Sequence, residues 1–565
     1  MSLFGSIRMA NNALHAQQIG LQVVGQNISN ANTPGYIREE AVLQPATAQR
    51  QGNLTLGLGV QVAGVIQKID KFLEQRLRNA ASDAASSDVQ QQTSLQLEGL
   101  VGELGDADLS SSLNAFFSSV SEVLNQPESD AIRNLAVLQG GTLTSDIRQL
   151  AERVVTARED IDDRIAGAAS DINRLTDEIF TLNRRIAVFE AGDVSNSDAV
   201  GLRDQRGIAL SSLAELVDIK VIEQDSGVVN VFVGGDFLVN EVARREVTVV
   251  TTTDRGQQVS ELQLVATESP LEARSGLVTG LTIARDDVLG GFLDDLDEFA
   301  GTLAFEFNRL HSSGQGLTGH QAIEGEFRVD DTDAPLDAAG LAFTPQNGSF
   351  QVLVRDRNTG LTETTDVVVD LNGLDSDSSL EDIVTSLNAI SGISVSITSD
   401  SRISIQSDSP DIDFSFAEDT SGLLAALGVN NFFSGSTSRT IGVRDELQSD
   451  ARLFAASRGG IGEDTDNAVL LAGFIDQPLD SVDGSSINQV YGRMTANVTQ
   501  STGVARAVAE GDQVFYQSLE TQKFAITGVN IDDEIVKMIS YQRAYQASAR
   551  YISELNALMD ILVNL

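Results

Sequence analysis

A chain of 565 residues exceeds one hydrophobic core, so about two to four domains are expected, and 41 % apolar with 21 % charged residues is the composition of a folded protein. A net charge of −43 argues against nucleic acid or an anionic membrane as partner, since phosphate binding needs clustered Lys and Arg. The absence of cysteine excludes disulfides, thiolate metal sites and a cysteine nucleophile, and no apolar run reaches the roughly eighteen residues of a membrane span.

The opening residues Met1 to Arg8 lack the compact apolar core and small-residue cleavage site of a secretory signal. The chain is therefore expected to stay in the cytoplasm or to leave by a route that reads another signal. Within residues 1–30, Leu3, Ile7, Ala10, Leu14, Gln17, Leu21, Val24 and Ile28 follow alternating steps of four and three. That spacing keeps one stripe along one side of a helix, with Gln17 its only polar member. The run Asn27-Ile28-Ser29-Asn30-Ala31-Asn32-Thr33-Pro34-Gly35-Tyr36 then ends the helix and turns the chain.

From Lys71 to about Glu190 the period is helical, carried by Leu143, Ile147, Leu150, Val154, Ile161, Ile165, Ile172, Leu175, Ile179, Leu182 and Ile186. Pro127 and the Gly140-Gly141 pair are expected to divide this stretch into several helices, packed as a bundle or antiparallel coiled coil. Gly192 to Asn196 reads as a turn, and a helix opens at Leu202 and runs to Val217. Strands follow at Ile219 to Ile222, Val228 to Val233 and Val247 to Thr253, with Gly234-Gly235 between. Helical spacing returns from Gly276 to His311 through Leu289, Leu293, Leu296, Phe299, Leu303, Phe307 and Leu310. Between roughly Gly319 and Ser434 short strands at Phe350 to Val354, Asp366 to Leu371, Ile393 to Ile397 and Arg402 to Ile405 flank a helix near Leu380 to Ile390. This is a β-rich insertion, because a helix resumes from Val490 to Thr527.

The last thirty-five residues contain neither Pro nor Gly. Tyr541, Tyr545, Ser548, Ile552, Leu555, Met559 and Leu562 form a second four-three stripe, with Arg543, Arg550, Glu554 and Asp560 on the polar faces. A stripe on a helix is ordinarily core, but these two occupy the extreme ends of the chain, where order usually fails. Their simplest solution is to pair with each other. The fold class is therefore mainly α with a β-rich insertion: residues 1–46 plus 525–565 form a terminal helical coiled-coil domain. Residues 47–318 plus 437–524 form a long-helix bundle with small β elements, and 319–436 an outer β-rich domain.

No catalytic constellation emerges, and the chain reads as no enzyme and as needing no cofactor. The three histidines, His15, His311 and His320, are dispersed, which disfavours a zinc site or a histidine triad. Asp330-Asp331-Thr332-Asp333 and Glu463-Asp464-Thr465-Asp466-Asn467 lack the spacing of a calcium loop and read as solvated surface. Asp294-Asp295 and Asp297-Glu298 read as the wet side of a helix. Gly459-Gly460-Ile461-Gly462 has no following Lys-Ser or Lys-Thr, as a phosphate cradle would.

Ala31-Asn32-Thr33-Pro34-Gly35-Tyr36 after an N-terminal helix resembles the rod, hook and hook-associated proteins of the bacterial flagellum. Gly528 to Glu534, followed by Tyr541-Gln542-Arg543-Ala544-Tyr545-Gln546-Ala547-Ser548-Ala549-Arg550, is similar to the C-terminal signature of the same family. The passage from Asp204 to Val239, Leu296-Asp297 with Ala300, Asn308, His311 and Gly314, and the run Gly462 to Ala468 resemble its hook-associated members. The resemblance covers both ends, 202–239, 276–314 and 459–534, and leaves the β-rich insertion outside it.

This resemblance implies a structural role at the junction between hook and filament, within a tubular assembly lined by the terminal helices. The assembly residues it implies are Leu3, Ile7, Leu14, Leu21, Val24, Ile28, Asn32, Pro34, Gly35 and Tyr36, facing Tyr541, Tyr545, Ile552, Leu555, Met559 and Leu562. It also implies export by the flagellar type III apparatus to the extracellular flagellum and terminal helices that order on assembly. The implied partners are further copies of the chain, the hook protein, the second hook–filament junction protein and an export chaperone on the C-terminal helix. Two alternatives stand: another axial protein (hook or distal rod), and a secreted enzyme or adhesin acting through the β-rich domain.

Overall fold

The structure, a computed structural model, describes residues 3–51, 54–102, 109–190, 197–374, 376–462 and 464–563. The turn expected at Gly192 to Asn196 lies outside these residues, as does Glu463 of the second acidic run.

Helix α1 (Leu3–Ser29) leads into strands β1 (Glu39–Pro45), β2 (Gln49–Gln51), β3 (Leu54–Leu56) and β4 (Val60–Gln67). Helices α2 (Lys71–Gly102), α3 (Leu109–Asn125), α4 (Asp130–Glu190) and α5 (Val200–Leu216) follow. Strands β5 (Lys220–Glu223), β6 (Val229–Val233), β7 (Asp236–Val239), β8 (Val247–Asp254), β9 (Gln257–Leu264) and β10 (Ser269–Pro270) come next. Helix α6 (Leu277–Ile283) then passes through a π turn at Ala284–Leu289 into α7 (Gly290–Ser312). The insertion holds β11 (Ala322–Glu324), β12 (Gly348–Asp356), β13 (Thr362–Val369), α8 (Leu380–Asn388), β14 (Ile393–Ile397), β15 (Ile403–Ser407), β16 (Ile412–Ala417) and α9 (Leu423–Leu427). Strands β17 (Phe433–Ser434) and β18 (Gly442–Val443) lead to α10 (Asp445–Ser449), α11 (Asp466–Gly473), α12 (Ile487–Thr527) and α13 (Ile531–Val563).

The fold is mainly α with small antiparallel sheets, as the periodicity indicates. One expectation fails. Pro127 does separate α3 from α4, but α4 runs for 61 residues straight through Gly140-Gly141. The reason is packing: a Cβ on Gly140 would stand 2.7 Å from the Phe432 ring and 3.3 Å from Phe116. The glycine admits an aromatic ring against the helix backbone, and that burial outweighs a propensity deficit of about 1 kcal/mol. Strand β9 also escaped the alternation; it pairs with β8 through a two-residue turn in which Arg255 and Gly256 both have positive φ, 48° and 73°.

By contacts the chain divides into two compact units. The first comprises Met1–Gln92, Glu159–Arg285 and Val504–Leu565. In it α1 packs along α13, β1 pairs antiparallel with β4, and Leu73, Leu77 and Ala80 of α2 bury against Leu519 of α12. The small sheets dock on α4 through polar side chains. Asn173 donates to the Val247 carbonyl (2.7 Å) and accepts from its N–H (2.9 Å), while Asn183 does the same for Val229 at 2.8 and 3.1 Å. Each amide thus stands in for a neighbouring strand, satisfying an edge that burial would otherwise leave unpaired.

The second unit comprises Thr93–Arg158 and Asp286–Gly503. Its helical part centres on Phe116, Phe117, Phe307, Phe432, Phe433, Phe454 and Phe474, in edge, tilted and stacked contacts. The insertion has its own core, built from sheets β13-β12-β16 and β11-β15-β14 with α8 packed on them. Helix α8 begins with a capping box between Ser379 and Asp382.

Candidate assembly interface

Helices α1 and α13 lie along each other in opposite directions. Asn27 contacts Glu534, and Gly20, seven residues earlier, contacts Tyr541, seven residues later. The interval of seven is the heptad, so each turn of contact repeats on both helices.

Burial on α1 is shared between α13 and the strands β1 and β4. On α1 the buried positions are Ser6, Ala10, Ala16, Gly20, Val23, Val24 and Asn27. Of the large stripe residues, Leu3, Ile7, Leu14, Leu21 and Ile28 are half-buried and only Val24 is buried. On α13, Leu555 is buried, Tyr541, Ile552 and Met559 are half-buried, Tyr545 is 39 % exposed, and the Leu562 side chain lies outside the described residues. Phe4, Ile535, Val536, Ile539, Leu558 and Ile561 also stand open to solvent. A single chain therefore brings the two stripes together yet covers them only in part. Roughly 25 cal/mol per Å² of apolar surface remains to be gained there on association.

One end of the pair is polar and closed. Glu534, with its side chain 1 % exposed, accepts from Asn27 Nδ2 (3.1 Å) and Arg38 Nε (2.9 Å) and pairs with Lys537 Nζ (3.1 Å). Asn27 also donates to the Glu39 carbonyl (3.0 Å), and its Oδ1 accepts from the Glu39 N–H (2.9 Å) and the Tyr36 hydroxyl (2.8 Å). Burial, with Glu39, Asp204 and Glu534 nearby, pushes the Tyr36 phenol well above its ordinary value, so it remains a donor. Burial likewise raises the Glu39 carboxyl.

This cluster gives the Asn32-Thr33-Pro34-Gly35-Tyr36 motif a mechanical sense. Asn32, Pro34 and Gly35 are exposed, and they form the turn that returns Tyr36 and Arg38 to the helix they just left. The Thr33 N–H donates to Asn30 and the Tyr36 N–H to Thr33. Gly35 has φ +75°, and a Cβ there would meet Ile208 at 2.7 Å, so only glycine fits. The Arg38 N–H then reaches the Thr527 carbonyl at 3.0 Å, tying this turn to the end of α12. Gly20, Asn27, Arg38 and Glu534 were not marked by periodicity. Asn27 read only as part of the run that ends the first helix, and Glu534 only as the last residue of the run Gly528 to Glu534 that resembles the family's C-terminal signature.

The remaining candidates are occupied otherwise. His15 is exposed on α1. His311 is buried, with Nδ1 against the Asn430 carbonyl (2.8 Å) and Nε2 accepting from the Ala455 N–H (3.1 Å). Burial drops its pKa to about 4. His320 reaches Asn430 Oδ1 at 3.0 Å, so both rings hold one asparagine. Asp464 accepts from the N–H groups of Arg458, Gly459 and Asp466 at 3.0, 2.6 and 2.9 Å, drawing the amides of the glycine loop to itself. Asp297 takes the N–H and hydroxyl of Ser438. Asp331 accepts from the Asp333 N–H. Among the described residues no group of three or more His, Asp or Glu is placed to hold a metal ion, and no helix is long and apolar enough to cross a membrane.

Comparison with known proteins falls on the same segments. Residues 94–326 match the model described as flagellar hook-associated protein FlgK helical domain. Residues 7–36 match flagella basal body rod protein, and 524–565 match the C-terminal part of the flagellar basal body rod FlgEFG proteins. Over 599 residues the chain is 22 % identical to flagellar hook-associated protein 1 of Salmonella typhimurium, covering 99 % of both. It is 27 % identical over 379 residues to the protein of that name from Bacillus subtilis, covering 60 % of this chain and 73 % of that one. The solved structure of the flagellar hook junction protein FlgK from Burkholderia pseudomallei shares the fold, with TM-score 0.50 at 15 % identity over 80 % of this chain and all of that one.

Proposed function

We infer that this chain is an axial protein of the bacterial flagellum, of the hook-associated protein 1 family, and a structural component of the junction between hook and filament. The observation that carries this reading is the full-length likeness, combined with terminal helices that meet in one chain and leave large apolar residues open. Such a surface, repeated head to tail without closing, builds a tube.

In this reading the outer faces of α1 and α13 are the assembly surfaces, with Leu3, Ile7, Leu14, Leu21, Ile28, Tyr545, Ile552 and Met559 completed by neighbouring copies. The chain in this reading divides into 1–46 with 525–565, 47–318 with 437–524, and 319–436, and the core that the insertion has of its own supports setting the last segment apart. The hook protein and the second hook–filament junction protein are the axial neighbours, and an export chaperone covers the C-terminal helix before secretion to the extracellular flagellum. The chain acts by assembling and carries out no catalysis.

Deletion of the gene in its host tests this role. A hook without a filament, with flagellin shed into the medium, is the expected phenotype. Loss of the hook itself would place the protein lower on the axis and overturn the junction reading.

A further inference from the structure

The two stripes repeat every seven residues, so apolar contact alone would be nearly as good with α13 slid by one heptad, or with α13 laid on the α1 of another copy in a shifted register. The buried carboxylate of Glu534 is not indifferent to such a slide. With Asn27 facing Glu534 and Gly20 facing Tyr541, a one-heptad shift places Glu534 abreast of Gly20 or of Pro34, neither of which offers a polar side chain. Asn27 would at the same time face either Thr527, at the end of the preceding helix, or Tyr541. Tyr541 would lose the one position on α1 where the absence of a Cβ admits its ring.

We propose that Glu534, read by Asn27 and Arg38, is the specificity residue that fixes the register of the terminal helix pair. It makes the start of α13 accept an α1 in one alignment only. The role rests on the reading that many copies of these helices meet during assembly, where wrong pairings compete. Removing one partner of a buried ion pair is strongly unfavourable because the other charge stays buried, and a polar residue in an apolar seam is a known register device. The preference expected for the native register is roughly a hundredfold or more. Arg38 adds a second requirement. Its side chain meets Glu534 while its N–H holds Thr527, so the donor must stand at the right distance after the helix as well as on it.

The chain has no cysteine, so introduced pairs report without background. In the soluble full-length protein, Ala13→Cys with Ser548→Cys, one heptad along from Gly20 and Tyr541, samples the native register, and Ser6→Cys with Ser548→Cys samples a one-heptad slip. With Asn27 and Glu534 intact, only the first pair should cross-link under mild oxidation. In an Asn27→Leu, Glu534→Leu background, which keeps the seam apolar, the slipped pair should gain at least tenfold in yield, within chains or as cross-linked dimers. A slipped pair that stays silent while the native pair still closes would show that register is set elsewhere. Loss of both cross-links would show that the cluster serves cohesion only, which also overturns the proposal. Neither result bears on the flagellar role, which the deletion phenotype decides separately.

Discussion

Gly20 and Tyr541 fit each other across the terminal helix pair: a methyl group added to Gly20 would stand 2.8 Å from two atoms of the Tyr541 ring. Glycine in a helix interior costs about 1 kcal/mol relative to alanine, so this position gives up helix propensity for close approach. Gly20→Val should therefore loosen the pair despite its better intrinsic conformation, and Tyr541→Ala should restore part of the loss when combined with it. Amide exchange over residues 10–28 in single and double variants measures this. Additive effects, without a coupling of about 1 kcal/mol or more, would mean that the ring is free to move aside.

Adjacent glycines in α4 should respond with opposite signs. A Cβ on Gly140 would stand 2.7 Å from the Phe432 ring, whereas one on Gly141 would meet nothing within 4 Å. Gly141→Ala should stabilise by up to about 1 kcal/mol through helix propensity. Gly140→Ala forces the aromatic core apart, a cost of about 1–3 kcal/mol against the same gain. Calorimetric melting of both variants checks the contrast, and a stabilised Gly140→Ala would refute the packing account of the uninterrupted helix.

His311 makes the second unit sensitive to acid. Its folded pKa is lowered to about 4 by complete burial, against about 6.5 for an exposed histidine. Below pH 6.5 the unfolded chain takes up a proton that the folded chain refuses, so stability falls as pH drops from about 6.5 toward 4 and then levels. The span of about 2.5 units corresponds to roughly 3 kcal/mol. Urea unfolding at pH 7 and pH 4.5 should show the decline, and His311→Gln should reduce its slope while lowering stability at neutral pH.

Asp204 works in the other direction. Burial raises its carboxyl to about 6, although Gln67 Nε2 donates to it at 2.6 Å. A folded pKa above the unfolded 3.8 means that the first unit gains stability as pH falls from about 6 to 4 and loses it again as pH rises through 6. Asp204→Asn keeps the acceptor for Gln67 and removes the buried charge. It should stabilise the protein at pH 7.5 by about 1–3 kcal/mol and do little at pH 4. Unchanged stability at pH 7.5 would mean that the carboxylate is better solvated than its surroundings indicate.

Much of this architecture was legible from spacing, because long amphipathic helices impose their period on the sequence. The insertion was visible from its alternating strands, and the terminal motifs pointed to the family before any contact was known. What stayed hidden depends on partners distant in the chain. Asn27 and Glu534 are 507 positions apart, and nothing local distinguishes Glu534 from Asp532 and Asp533 beside it. Gly140 read as a helix breaker because its ring, Phe432, comes from the far side of an insertion. Periodicity also ranked the large residues of the stripes first, whereas the close contacts between α1 and α13 within one chain fall at Gly20 with Tyr541 and Asn27 with Glu534. The heptads announced that something would be covered, and Gly20 and Asn27, off the large stripe, mark where the two helices meet.

That division of labour separates folding from assembly at the level of single residues. Val536 is 67 % exposed and Leu558 52 % exposed in the lone chain, so Val536→Asp and Leu558→Asp remove little packing there. Exposed substitutions of this kind usually change stability by no more than about 0.5 kcal/mol. If copies of the chain cover these positions in the tube, each added charge must be desolvated on association, and junction formation should fail although the monomer melts as before. Ser553→Asp, on a residue already exposed and polar, serves as the control. Complementation of the deletion strain reads the outcome: filaments restored by Ser553→Asp but not by Val536→Asp or Leu558→Asp place those residues in the subunit interface. Filaments restored by all three would leave the outer face of α13 in solvent and return the burden of assembly to the half-buried stripe.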